Sequence, residues 1–187
     1  MKTYIKMILA LTIPFMMGCG QEEVKKDNTL PENVTTPIAG DKAGSVDLSG
    51  HGVNLVIDIP TDVKDKLVFD NTMDLRIEVG NEYAFTITGH EIEPEDEVMK
   101  DIINDRIKER KTEIKENTSV PFTRFVTDEP LLCMWESAKE FQCYGIVVSG
   151  NTWYEIETAV MQNETYFSES VQKKLLEVIK SAKPSVK

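Results

Sequence analysis

Basic residues are scarce. The chain has 21 Lys and Arg against 32 Asp and Glu, a formal net charge of −11. A nucleic-acid binder needs a basic patch to displace counterions, so that class is set aside. Two histidines and three cysteines leave little for a zinc or haem site, and no cofactor is implied. The Gly-x-Ser-x-Gly elbow of serine hydrolases is absent; Ser49-Gly50-His51-Gly52 reads as a turn before a strand. No apolar run approaches the ~20 residues of an ordinary transmembrane helix. What is present is 187 residues, 41% of them hydrophobic, enough for one ordinary domain with a packed core.

The N-terminus carries the sharpest signal. Lys2 and Lys6 form a short basic region, and Ile5 with Met7–Met17 forms an apolar stretch, which Gly18 and Cys19 follow. That stretch has the length of a signal-peptide core. A small residue directly before a cysteine resembles the bacterial lipobox, although Met16 and Met17 stand where Leu and a small residue are commonest. The resemblance implies a diacylglycerol on the Cys19 thiol, cleavage after Gly18, and acylation of the freed amine. Two or three acyl chains anchor a protein stably where one does not. The other reading is a plain secretory peptide or an uncleaved anchor. Residues 1–18 hold two lysines and no acid, so the cleaved chain carries −13. Gln21, Glu22 and Glu23 follow, with no Asp directly after the cysteine. That context resembles outer-membrane lipoproteins, and the acidic residues resemble the surface-export signal of Bacteroidetes.

Residues 19–45 are then read as the lipidated cysteine and a tether. The segment is polar, holds Pro31, Pro37, Gly40 and Gly44, and has no hydrophobic period. Coil statistics give such a spacer a reach of about 25–30 Å. The alternative is that part of it folds as an edge strand.

Residues 46–187 are read as a single α+β domain. Val53–Ile59 is a strand stopped by Pro60. Met73–Val79 alternates apolar and charged residues, as a half-buried strand does, and Tyr83–Thr88 returns beside it. The longest helix runs from about Pro94 to Lys115. The acidic run Glu95-Asp96-Glu97 suits its first turn, where the helix dipole favours anions. Met99, Ile102, Ile103, Ile107 and Ile114 form its apolar stripe. An antiparallel meander follows: Phe122–Val126, Leu131–Glu136, Phe141–Val148 and Trp153–Val160, the last two joined at Gly150-Asn151. A final helix starts behind Ser168, a good N-cap, and ends near Ala182. The expected architecture is an antiparallel β-sheet with the long mid-chain helix and the C-terminal helix packed on it.

The run Phe141–Val148, the turn at Gly150-Asn151, Trp153–Thr158, and Phe167 leading into a helix ending Val178-Ile179-Lys180-Ser181 is similar to the C-terminal half of the PsbP-like fold. That family includes a yeast Ran-binding import factor and many bacterial lipoproteins. The resemblance implies an α-β-α sandwich and a binding or accessory role, and it carries over no functional residue.

Cys133 and Cys143 are the thiols left once Cys19 is acylated. A hairpin centred on Ala138 sets the two opposite each other, at disulfide distance in an oxidising compartment. The other reading is two buried free thiols, since a one-residue slip destroys the pairing. Trp153 and Tyr154 fall on opposite faces of one strand. One of them is a candidate binding platform, and core packing is the other reading. His90, Glu91, Glu93, Glu95, Asp96 and Glu97 offer oxygen ligands, yet a helix-start cap explains them without a metal.

The residues therefore point to a membrane-anchored envelope lipoprotein, non-enzymatic, acting as a protein-binding or accessory module. Its expected partners are the bilayer, through Cys19, and another envelope protein. The alternative is an immunity lipoprotein that neutralises an envelope-acting toxin, because acidic surfaces speed capture of basic partners. An envelope enzyme is the third class. It requires a pocket where acids, or His51 or His90, converge.

Overall fold

Alternation along the chain sets the sheet. In the computed structural model, which describes residues 44–61, 63–92, 96–138, 140–161 and 167–186, ten strands and two α-helices are assigned. The strands are β1 (Ser45–Asp47), β2 (Leu55–Asp58), β3 (Leu67–Asp70), β4 (Leu75–Val79), β5 (Tyr83–Glu91), β6 (Phe122–Glu129), β7 (Leu132–Ser137), β8 (Glu140–Ser149), β9 (Thr152–Thr158) and β10 (Lys183–Pro184). The helices are α1 (Asp96–Glu116) and α2 (Glu169–Ser181). The protein is mixed α+β with antiparallel sheets. Residues 1–43 lie outside the described residues, and so do Cys19, the lipobox and the tether up to residue 43.

Seven strands form the main sheet in the order β3-β4-β5-β9-β8-β7-β6. A small sheet, β1-β2-β10, lies apart from it. Period-two alternation in β4 buries Leu75, Ile77 and Val79 and turns Arg76 and Glu78 the other way. In β5, Tyr83, Phe85 and Ile87 do the same work. These residues share one core with the small sheet (Val46, Leu55, Ile57) and with Leu175, Val178 and Ile179 of α2. The opposite face of the main sheet carries a second core. There Met99, Ile103, Ile107 and Ile114 of α1 meet Cys133, Trp135, Tyr144, Ile146 and Trp153. One helix thus covers each face.

Several expectations need correction. Ile102 is 40% exposed and does not belong to the α1 stripe. Spacings of four and seven align residues 99, 103, 107 and 114, and residue 102 falls beside that line. Two strands carried no expectation, β3 and β10, while β1 takes in Ser45 of the expected tether as an edge strand of the small sheet, as the alternative reading of that segment had it. Leu67 and Phe69 of β3 pack half-buried against the larger core, while Val68 faces solvent.

The β7–β8 hairpin differs by one residue. Its last pair is Ser137–Glu140, so two residues make the turn, and Ala138 takes φ 49° there. Cys133 consequently pairs with Tyr144, and Met134 with Cys143. Directly opposed residues share a face. Cys133 therefore lies in the α1 core and Cys143 in the α2 core, and both are free thiols. The expected Cys133–Cys143 disulfide is overturned by this register.

At the C-terminal end, Ser168 caps α2 as expected, accepting from the Val171 N–H at 3.4 Å. Gly145 of β8 marks where α2 comes closest to the sheet. A Cβ at that position would stand 2.5 Å from Ile179 Cγ2 and 3.0 Å from Leu132 Cδ1.

Candidate functional site

The face of the sheet under α1 gathers the charged and titratable side chains. Alternation in β9 points Trp153, Glu155 and Glu157 toward α1, and Tyr154, Ile156 and Thr158 toward α2. Cross-strand pairing then sets His90 of β5 beside Trp153, and Tyr144 of β8 beside Glu157. On α1, Arg106 and Arg110 stand four residues apart and so share one side of the helix. They interrupt the apolar stripe and reach down to the two glutamates.

Glu155 is the hub. Its side chain is 11% exposed. Arg106 grips it with both arms, Nε to Oε1 at 3.0 Å and Nη2 to Oε2 at 3.2 Å. The Tyr144 hydroxyl donates to Oε2 at 2.8 Å. Such bidentate, charge-assisted pairs are among the stronger polar contacts. His90 lies flat on Trp153, with ring centroids 4.1 Å apart and planes 18° apart. Its Nε2 comes to 3.2 Å from Oε1, an ion-pair distance whose geometry falls short of a hydrogen bond. Beside this hub, Arg110 donates to Glu157 Oε2 at 2.8 Å, and its guanidinium carbon sits 5.6 Å from the Tyr144 ring centroid.

The protonation states follow. Burial pushes the Glu155 carboxyl up, but the hydrogen bonds from Arg106 and Tyr144 and the Arg106 charge outweigh it and hold the group below its ordinary value. Burial first, and then the bond to Glu155, push the Tyr144 phenol well up. The bond to Glu155 raises the Arg106 guanidinium further. Both Glu155 oxygens are occupied and the phenol keeps its proton. Chemically, this arrangement is a clamp between helix and sheet.

The expected site residues fall elsewhere. Trp153 is 6% exposed and Tyr154 is 3% exposed. Neither is a surface platform, which corrects that expectation in favour of core packing. Trp153 lies under α1, and the Tyr154 hydroxyl on the other face accepts from the Asn54 N–H at 3.1 Å. Burial pushes the Cys133 thiol up to about 12 and the Cys143 thiol higher still. Nucleophilic cysteines need a thiolate, so both act as small packed hydrophobes. Ser49–His51 forms a 3-10 turn, and the His51 ring stacks on Phe69 with centroids 4.2 Å apart. Among the acidic run, Glu93, Pro94 and Glu95 lie outside the described residues, and Glu91 is exposed at the end of β5. Among the described residues, no group of three or more His, Cys, Asp or Glu side chains is placed to hold a metal ion, and no helix is long and apolar enough to cross a membrane.

Glu155, Arg106 and Arg110 went unread as a unit. The signal was there: two acids alternate with Trp153 on one strand face, and two arginines at helical spacing break an apolar stripe. Joining them requires knowing which face of β9 meets α1. No family model matches the chain, and no curated protein shows significant similarity to it.

Proposed function

We propose that this chain is a membrane-anchored envelope lipoprotein whose α+β domain serves as a non-enzymatic protein-binding or accessory module. The observation that carries the reading is Gly18-Cys19 behind a short basic and apolar segment. Acyl chains at Cys19 would hold the protein at the outer membrane, and the polar spacer would let the domain reach a partner in the envelope. A binding role is supported in that the Glu155 carboxylate, 11% exposed, is spent on holding α1. Both buried thiols are likewise shifted away from reactivity. The layering of a helix on each sheet face suits the α-β-α sandwich of the PsbP-like fold, and we extend the proposal to that family.

Growth with an alkyne analogue of palmitate tests the anchor. The wild-type chain is expected to carry the label and to sediment with membranes, and Cys19→Ala to lose both. An unlabelled, soluble wild-type chain would overturn the reading. Mild crosslinking in the envelope followed by pulldown then identifies the partner. The net charge of −11 favours a second reading, an immunity lipoprotein that captures a basic toxin. In that case expression protects cells against the toxin, and protection falls when the tether is removed.

A further inference from the structure

A free spacer would leave the domain from an exposed residue. Gly44, where the described chain begins, is buried instead. Its carbonyl accepts from the Ile59 N–H at 2.7 Å, so the pairing of β1 with β2 runs back as far as these two residues. There it stops. Pro60 comes next along the partner strand and has no N–H to offer. Its carbonyl is already taken by the Val63 N–H at 3.2 Å. Gly44 also takes φ 99°, in the left-handed region that favours glycine, and a Cβ there would stand 3.0 Å from the Ile59 carbonyl oxygen. The chain ahead of Gly44 is therefore turned out of the ladder.

An open groove begins at the same residue. It is lined by Gly44, Ile59 and Pro60 from the small sheet and its flank, and by Lys174, Glu177 and Val178 from α2. Its volume is about 580 Å³. Ile59 and Val178 are each 2% exposed and give it an apolar floor. Lys174 is paired with Glu82. Glu177 makes no hydrogen bond or ion pair with any described residue.

The chain supplies an occupant just ahead of Gly44. Residues 37–43 read Pro-Ile-Ala-Gly-Asp-Lys-Ala. Ile38 is the large apolar residue nearest to Gly44 on that side, and the intervening residues reach roughly 20 Å when extended. Lys42, two positions from the buried glycine, is the one cation of the segment, and Glu177 is the acid of the groove that lacks a partner. A segment joined to the groove's edge by the backbone closes only a short loop when it docks. A separate molecule would also lose translational and rotational freedom.

We propose that residues 37–43 lie along this groove as a strap, with Ile38 on Ile59 and Val178 and Lys42 facing Glu177. The strap does not require acylation of Cys19. Where Cys19 is the anchor, residues 20–36 are left as the free spacer, and its reach falls to roughly 20–25 Å.

Trypsin digestion of the full-length chain carrying Cys19→Ala, followed by mass spectrometry, tests the strap. Cleavage after Lys25 and Lys26, which lie ahead of it, is expected to be at least about tenfold faster than after Lys42. Nearness to the folded domain could slow the Lys42 site by itself, so the variants decide. Ile38→Asp is expected to speed cleavage after Lys42 about tenfold and to leave Lys25 and Lys26 unchanged. Glu177→Lys should speed it by a smaller factor, because that charge faces solvent. An unchanged circular dichroism spectrum shows that the domain of each variant is intact. Equal cleavage at all three lysines in the wild-type sequence would overturn the proposal, and so would an Ile38→Asp chain cut after Lys42 no faster than wild type. Protection of Lys42 that grows with protein concentration would assign the groove to a second copy of the chain and overturn it as well.

Discussion

Both faces of the seven-stranded sheet carry one helix, but the two helices are held by different forces. On the α2 face, Leu175, Leu176, Val178 and Ile179 come from a helix of 13 residues and enter a core shared with both sheets. Its polar contacts lie mostly at the rim, Lys174 with Glu82, Lys180 with Glu129 at 3.1 Å and Ser181 Oγ accepting from the Asp58 N–H at 2.8 Å, while inside the half-buried Thr158 hydroxyl donates to Gln172 Oε1 at 2.8 Å. On the α1 face, a helix of 21 residues buries Met99, Ile103, Ile107 and Ile114 among its described side chains. The rest of its hold is ionic: Arg106 on Glu155, Arg110 on Glu157, and Lys111 on Asp128 at 2.5 Å. Apolar burial is non-directional and tolerates small shifts. Paired charges fix orientation, but desolvation offsets much of their attraction. The sheet is thus stabilised from the α2 side, while α1 is set in place by charge.

The sharpest way to break this contrast is to remove the hub. Glu155→Ala leaves the Arg106 guanidinium and the Tyr144 hydroxyl without their acceptor under α1. Stripping one member of a buried ion pair costs about 3–5 kcal/mol, so urea unfolding should show a loss of that order. Replacing both partners, Arg106→Met with Glu155→Leu, should recover most of it, because a well-packed apolar pair substitutes for a buried ion pair at little net cost. A loss below about 1 kcal/mol for Glu155→Ala would mean that α1 is held as α2 is.

A smaller effect is expected on the other face. Gly145→Ala sets a methyl group within contact distance of Ile179 and Leu132, and overpacking of this kind costs about 1–3 kcal/mol. The contact is side chain to side chain, so Ile179→Ala should relieve part of the strain. A double-mutant cycle of the two would then be non-additive. Additive losses would show that α2 does not approach the sheet at Gly145 as closely as the backbone implies.

The same two faces explain what could be read from the sequence. Alternation in β4, β5 and β9 and the spacing along both helices are local patterns, and the element order followed from them. Short strands such as β1 and β10, with three and two residues, carry too few positions to show a period. Pairing register is harder, because turn chemistry decides it. Ser137-Ala138-Lys139-Glu140 holds no glycine, yet Ala138 adopts positive φ, so a two-residue turn gave no sign of itself. That single step moved Cys143 to the face opposite Cys133 and removed the disulfide. Trp153 and Tyr154 were placed on opposite faces correctly, but alternation cannot say that helices or the small sheet bury both. The Glu155 clamp joins residues 49 positions apart, and no local pattern links them.

Acid should separate the two helices with the gentlest perturbation. The Glu155 carboxyl is held below its ordinary value of 4.5 in the folded protein. Its contribution is therefore complete above that value and is lost as pH falls through the lower folded one; stability rises with pH across that window. Glu169, at the start of α2, is also held low, by the bond and charge of Lys173. That pair faces solvent, where water and salt screen it, so it contributes little. Amide hydrogen exchange below about pH 4.5, corrected for intrinsic rates, should thus rise along α1 while α2 stays protected. Exchange rising together in both helices would instead mean that protonating Glu155 loosens the sheet itself. The clamp would then belong to the common core rather than to α1 alone.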